Sequence, residues 1–474
     1  MEMRKVARVL FILLLSSWMT SPVTSQGLFE SSQSGNYETL VSSKLSLGGF
    51  IRSVIYTAQF PETDKYYLQS AYGQVGLQLD AKAGEWASAK ADIRFRYGTE
   101  FQQPVSQAEI REAYVDIWKG PLSLKFGKMI TPWGKGTFFN PVDKLTPLDP
   151  TVRSPVEDDM KLGFWGIQGG LNMGRFMKLT ATWKPLFQPS VLLIDPVPMP
   201  AYVTFLDPDY PGVELNQGSY GINYNLFTSL MDFSLYWYDG YSNWPGIGYD
   251  SFILDSLTMD PAALNLFEKA YKIRMAGADF SIPAGSWIFR AEGAWQHTVE
   301  SPGSAGYLPF HEISYTAEIE KSGNHFNILA GYLGKYIIDY TAPLAEPSLL
   351  AGQEQIFQLM QMGVTPTGEA IDGMIREQIG AFNRLYNYQM EEFYNTLFLA
   401  IKLFLWHDQI ELTIPVISYL TTDEWVFQPG ITFKPLDGLN ISAGYGVLYG
   451  PEESLLDLVG PTLNAGYLSI KLTF

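Results

Sequence analysis

Residues 90–97 read Lys90-Ala91-Asp92-Ile93-Arg94-Phe95-Arg96-Tyr97, a stretch in which charged side chains alternate with apolar or aromatic ones. Successive side chains of a β-strand point to opposite faces, so this run has one oily face and one charged face. The same period returns downstream. Arg290 and Glu292 alternate with Phe289 and Ala291, and Glu312, Ser314, Thr316, Glu318 and Glu320 alternate with Ile313, Tyr315, Ala317 and Ile319. Further on, Leu397, Leu399, Ile401, Leu403 and Leu405 share one face, with Thr396, Phe398, Ala400, Lys402 and Phe404 opposite. A soluble β-sandwich would alternate in the same way, so the connections between strands have to separate the two folds.

Short turns are expected at Gly84-Glu85, Lys119-Gly120-Pro121, Gly174-Arg175, Ala284-Gly285, Ser322-Gly323-Asn324, His407-Asp408 and Leu436-Asp437-Gly438. Counted from a first strand at 44–59, each of these follows an even-numbered strand, and the long connections follow odd-numbered ones. Short turns on one side and long loops on the other are the habit of membrane barrels. The reading is an all-β, antiparallel transmembrane barrel over residues 44–474, with about 18 strands and 16 as the alternative. Composition agrees, with 15% aromatic residues and 43 glycines and a mean hydropathy close to zero. The most apolar internal run, Leu397 to Trp406, carries Lys402 and is about half the roughly 20 residues a spanning helix needs. Pro415 and Pro429 stand against the register, because proline cannot donate to a ladder and a closed barrel has no edge.

The N-terminus carries Arg4, Lys5 and Arg8, an apolar run from Val9 to Leu15, then Val23-Thr24-Ser25 before Gln26. That order predicts a signal peptide over 1–25, followed by a periplasmic segment over 26–43 that is too short for a plug domain. The whole chain has a net charge of -17, and losing the +2 of the signal segment leaves about -19. So acidic a surface repels phosphate backbones and excludes nucleic acid as a partner. There are no cysteines, hence neither disulfides nor thiolate metal sites.

A barrel of 16 to 18 strands is wide enough for an aqueous channel, and its bore is set by what folds into it. The first candidate runs from Thr131 to Met160, counted as the third external loop. If it folds inward, Asp143, Lys144, Asp149 and Asp158 would face Arg94, Arg96, Arg111 and Lys125 (with Lys90) on the early strands, and a transverse field would select solutes by charge and dipole. The other reading is a solvated surface loop. The second candidate is a helical insertion at 346–392, where Ile371, Met374, Ile375, Phe382, Leu385, Tyr386, Gln389 and Phe393 recur at spacings of three and four after a shorter helical stretch around Leu349 to Met362. It reads either as a lid for amphipathic solutes or as an external hairpin whose oily face packs on the barrel. Other loops are acidic: Asp195, Asp207, Asp209 and Glu214; Asp250, Asp255 and Asp260; Glu452, Glu453 and Asp457. Their spacing forms no metal loop, and no metal or cofactor is expected.

Gly127-Lys128, Trp133-Gly134 and Asn140-Pro141-Val142-Asp143 resemble a pattern in a poorly characterised family of bacterial outer-membrane barrels, and this region is loosely similar to the alginate-export barrels. The resemblance covers about thirty residues. It implies an outer-membrane channel for export or uptake of a solute; alginate is not carried over, because many inward positions are acidic. The chain end, Leu468-Ser469-Ile470-Lys471-Leu472-Thr473-Phe474, resembles the last strand of such barrels, whose final aromatic implies recognition by the barrel-assembly machinery.

The expectation is a porin-like channel for small solutes in the bacterial outer membrane, with membrane lipid, lipopolysaccharide and the assembly machinery as partners and a homotrimer left open. The alternative is a receptor or adhesin that conducts nothing. An enzyme is not expected. His297, His311, His325 and His407 form no H-E-x-x-H, no serine lies in G-x-S-x-G, and Gly134-Lys135-Gly136-Thr137 lacks the first glycine of a phosphate loop. His297 and His311 beside Ser301 or Ser304 are the weak remaining hydrolase pattern.

Overall fold

The computed structural model describes residues 45–59, 65–192, 201–255, 261–301, 305–344, 368–451 and 454–474. The expected signal peptide, the segment 26–43, the helical stretch at 349–362, and Asp195, Asp260, Ser304, Glu452 and Glu453 lie outside them.

The strands run β1 (Leu45–Gln59), β2 (Tyr66–Ala83), β3 (Ala87–Glu100), β4 (Gln103–Lys119), β5 (Leu122–Met129), β6 (Phe164–Met173) and β7 (Met177–Lys184). They continue through β8 (Val203–Phe205), β9 (Ser219–Phe227), β10 (Asp232–Tyr241), β11 (Gly246–Leu254), β12 (Pro261–Lys269), β13 (Lys272–Ala284), β14 (Trp287–Thr298) and β15 (Glu312–Ser322). The remainder are β16 (Phe326–Ile337), β17 (Phe393–Leu405), β18 (Ile410–Tyr419), β19 (Glu424–Phe427), β20 (Gly430–Leu436), β21 (Leu439–Tyr449) and β22 (Ala465–Thr473). Helix α1 covers Gly368–Tyr386 and α2 covers Leu455–Leu463.

All but β8, β11 and β12 form one antiparallel sheet of 19 strands, closed on itself where β22 pairs with β1. β19 and β20 both pair with β18 on one side and β21 on the other, so they are two halves of one position, and the barrel has 18. The chain closes the ring to its last residue: Phe474 and Gly49 exchange two backbone hydrogen bonds of 2.9 Å.

The two prolines explain the broken position. Pro429 stands in the gap between β19 and β20. Pro415 lies across from that gap in β18, with Gln428 N donating to its carbonyl at 3.3 Å, while its other side pairs with Ala400. The two missing donors therefore share one interruption instead of making two.

Alternation matches the lipid requirement. Ile51, Ile55, Phe95, Leu397, Leu399, Leu468, Ile470 and Leu472 point outward and are exposed, whereas Arg52, Val54, Tyr56, Arg94, Phe398 and Lys402 point in and are buried. Trp86, Trp118, Trp287 and Trp406 lie outward at the end that carries the chain termini, where an aromatic girdle belongs. Among the described residues no helix is long and apolar enough to cross a membrane. Every even-numbered position is followed by a short turn, as expected. Two odd-numbered ones also turn tightly, at Phe101-Gln102 with φ 46° and 64°, and at 420–423. The long loops of the far end hold structure that the acidic composition did not suggest. There β11 pairs antiparallel with β12 and β12 runs parallel to β8. Ile371, Ile375, Ile379 and Phe382 of α1 are buried in one cluster with Leu264 and Leu266 of this small sheet and Leu329, Leu333 and Phe398 of the barrel wall.

Candidate functional site: a strap across the lumen

The connection between β5 and β6 does not leave the barrel. Trp133, Phe138, Phe139, Val142 and Leu145 are all buried, the first packing on Tyr236 with ring centroids 5.2 Å apart. A Cβ on Gly221 would meet Trp133 at 2.6 Å and one on Gly277 would meet Val142 at 2.6 Å, so bare backbone in β9 and β13 makes room for the incoming segment.

The segment is held at both ends. Its first half lies on an acidic wall. Glu292 of β14 accepts the backbone N–H groups of Lys135 (3.0 Å), Gly136 (3.1 Å) and Val142 (2.9 Å). Glu318 of β15 accepts those of Thr137 (2.8 Å) and Phe138 (3.3 Å), and Lys135 Nζ pairs with Asp279 of β13 at 2.9 Å. Its second half lies on a basic wall. Asp159 accepts from Arg52 of β1 and from Arg94 of β3, each at 2.5 Å, and Arg111 of β4 donates to the carbonyl of Asp158. β2 and β14 are the second and eleventh of 18 positions, so these walls stand opposite one another. The segment from Thr131 to Met160 is a strap across the bore.

Two bulges aim the basic wall. The register slips between Asp92 and Ile93 on β3, so that β4 has one extra residue, and both Arg111 and Glu112 turn inward. Gln69 is extra in β2 in the same way, and Gln69 and Ser70 are both buried. Gln69 Oε1 accepts from Arg153 of the strap at 2.6 Å. An extra residue re-aims neighbours that strict alternation would separate.

The residue pattern Trp133-Gly134 and Asn140-Pro141-Val142-Asp143 is the folding code of the strap. Gly134 has φ +88°, and a Cβ there would meet Glu292 Oε2 at 2.4 Å, so only glycine passes this close to the anchoring carboxylate. Asn140 Nδ2 donates to the carbonyl of Trp133, and Asp143 Oδ1 accepts the N–H groups of Leu145 (3.1 Å) and Thr146 (3.3 Å).

The expected pairing of charges needs correction in detail. Asp143 is spent on the strap's own turn, Asp149 Oδ1 binds Thr151 N (3.0 Å), and Asp158 pairs with Lys161 at 2.7 Å. Asp159 is the acid that meets the arginines. Burial opposes its ionisation, yet Arg52 and Arg94 hold its carboxyl well below the ordinary range. On the wall, Arg94 and Arg111 reach the strap at Asp159 and Asp158. Arg96 instead pairs with Glu100 at 2.7 Å over the Tyr72 ring, and Lys125 lies 4.6 Å over Tyr114. Arg52 was legible by the same period-two rule as Arg94, since Ile51 and Ile55 take the opposite, outward face. Glu292 and Glu318 were legible as inward acids, but not as acceptors of backbone N–H groups.

Between strap and wall lies a cavity of about 290 Å³, lined by Lys144, Lys161, Tyr271, Gln296, Glu312 and Lys335 among others. Lys335 pairs with Glu312 at 2.8 Å, and burial lowers the Lys144 ammonium from its ordinary value while Glu312 pulls the other way. His297 and His311 lie with ring centroids 4.1 Å apart and tilted by 31°, and His311 Nδ1 accepts the Thr298 N–H at 3.1 Å, which ties it to the end of β14.

The model of a family described as "Protein of unknown function (DUF1302)" matches residues 79–365, a span that contains the whole strap. Among solved structures, a BenF-like porin from Pseudomonas fluorescens Pf-5 is similar at 10% identity and a TM-score of 0.52, over 91% of this chain and 99% of that one. OccAB3 from Acinetobacter baumannii is similar at 7% identity and 0.51, over 91% and 99%. OccK2 (OpdF) from Pseudomonas aeruginosa is similar at 10% and 0.50, over 91% and 97%. At identities this low the likeness shows the shared barrel fold alone. No match is found among curated proteins.

Proposed function

This chain belongs to the family described as protein of unknown function (DUF1302), and we propose that it is a constricted, solute-specific channel of the bacterial outer membrane. The observation that carries the reading is the strap itself. A segment pinned to opposite walls by Asp159 on one side and Glu292 and Glu318 on the other crosses the bore between charged side chains. Charged constrictions select solutes by charge and dipole. OccK2 has been solved in complex with glucuronate; an acid of that size is a reasonable first solute to try here. The oily outer belt suits lipid, and the exposed Phe474 at the closing seam supports its reading as an assembly signal.

One observation favours the second reading, a receptor that conducts nothing. Phe138 and Phe139 of the strap, Phe398 of the wall and Ile375 and Phe382 of α1 pack in one buried cluster. Liposome swelling distinguishes the two. The mature protein is reconstituted and exposed to a panel of sugars, sugar acids and amino acids. A channel gives swelling rates that differ among solutes of equal size. No swelling with any solute, in the wild type and in a variant lacking the α1 insertion, leaves the receptor.

A further inference from the structure

The far-end loops enclose a second cavity, of about 590 Å³, separate from the strap. Its lining comes from β11 and β12, from residues 305–310, from the stretch after β16 and from one side of α1. Tyr249, Phe267, Tyr307, Phe310 and Ile379 make it apolar and aromatic. Loop and helix meet at two glycines, where a Cβ on Gly306 would stand 3.1 Å from Gly380 Cα.

Two guanidinium groups line the same space. Arg384 lies over the rings of Phe310 (4.8 Å) and Tyr340 (5.4 Å); its Nε donates to the Gln389 carbonyl at 3.3 Å and its Nη2 to that of Thr341. Arg376 lies 4.8 Å over Tyr249, whose hydroxyl is turned to Asp372. Among the described residues neither arginine has a carboxylate within ion-pair distance, whereas the third cation here, Lys269, is taken by Asp209 at 2.5 Å. Burial lowers the Arg384 pKa, and the groups that offset it are Tyr340 and Tyr394, not acids. A half-buried cation among aromatic faces, without a counter-ion, is completed by an anion from outside. The volume falls in the range of small-molecule sites, about 300–1,000 Å³.

We propose that this cavity captures a small amphipathic anion: a carboxylate on an apolar or aromatic body, with the body against Tyr249, Phe267 and Phe310 and the head on Arg384 and Arg376. The site serves a channel as a collecting point and a receptor as its ligand pocket, so it stands or falls apart from conduction. The same chemistry is offered by a free acid and by an anionic lipid, and capture of the free acid is what the external position favours.

The test is calorimetric titration of the mature protein in phosphatidylcholine nanodiscs with octanoate, 1-octanol and acetate. Octanoate saturates the site, and the alcohol and the short acid bind at least about tenfold more weakly. Arg384→Met weakens octanoate by at least about tenfold, and Arg376→Met, at an exposed position that tolerates substitution, weakens it severalfold. Equal binding of octanol and octanoate overturns the proposal. So does an unchanged affinity in both variants, or an uptake no greater than that of empty nanodiscs. Loss of octanoate binding when phosphatidylglycerol is added assigns the site to membrane lipid and overturns capture of a free solute.

Discussion

Asp159 shares its carboxylate between two guanidinium groups on different strands, with a side chain only 5% exposed. Removing one partner of a buried ion pair costs about 3–5 kcal/mol, because the remaining charges are left uncompensated. Asp159→Asn keeps the shape and removes the charge, and it should lower the denaturant midpoint and free that end of the strap. The pH dependence has a definite sign. A carboxyl held below its ordinary value stabilises fully above the unfolded pKa, near 3.9, and loses that stability as pH falls towards the native value. The wild-type advantage over Asp159→Asn should therefore be constant from pH 7 to 5 and shrink only below about pH 4. Shrinkage between pH 7 and 5 would contradict the pairing. At the other anchor, Gly134→Ala puts a Cβ against Glu292 at a φ of +88°, and it should destabilise by more than about 1 kcal/mol. Gly285→Ala, at φ +64° in a turn with nothing within 4 Å of the new Cβ, carries the backbone strain without the clash and serves as the comparison.

At the scale of elements, Pro415 and Pro429 yield a prediction that the sequence alone would have reversed. Proline inside a ladder normally costs a hydrogen bond, but here the donor would face a gap. Pro415→Thr should leave stability within about 0.5 kcal/mol of wild type, as read from urea unfolding in detergent. The strands were legible because lipid forces an oily outer face at every second residue, and the boundaries near 87–100, 272–284 and 439–449 follow that period closely. The contacts of the strap were not legible. Period two says that Arg94 and Glu292 face the lumen; it does not say which loop atom meets them. Asp158 and Asp159 are neighbours with equal claims in the sequence, and only the backbone path turns the second one to Arg52 and Arg94. The small sheet of β8, β11 and β12 was hidden for a similar reason, since three short strands among prolines and acids carry too little period to read.

On the scale of the whole molecule, the bore has charged walls and one large apolar cluster against β16 to β18. The basic wall of β1, β3 and β4 is tied down by the strap, and the wall of β16 to β18 is covered by Phe138, Phe139 and α1. On the proposed reading, passage of solute depends on how firmly the strap holds. Excising the insertion between β16 and β17 uncovers Leu333 and Phe398 and leaves both anchors of the strap intact, so it should raise conductance less than freeing the strap does. The most direct measurement is single-channel current in a planar bilayer, comparing the mature wild type with a variant carrying both Asp159→Asn and Glu292→Gln. Well-resolved but small steps are expected in the wild type and steps of nanosiemens scale in the variant. Identical steps in the two proteins, or silence in both, would contradict that expectation.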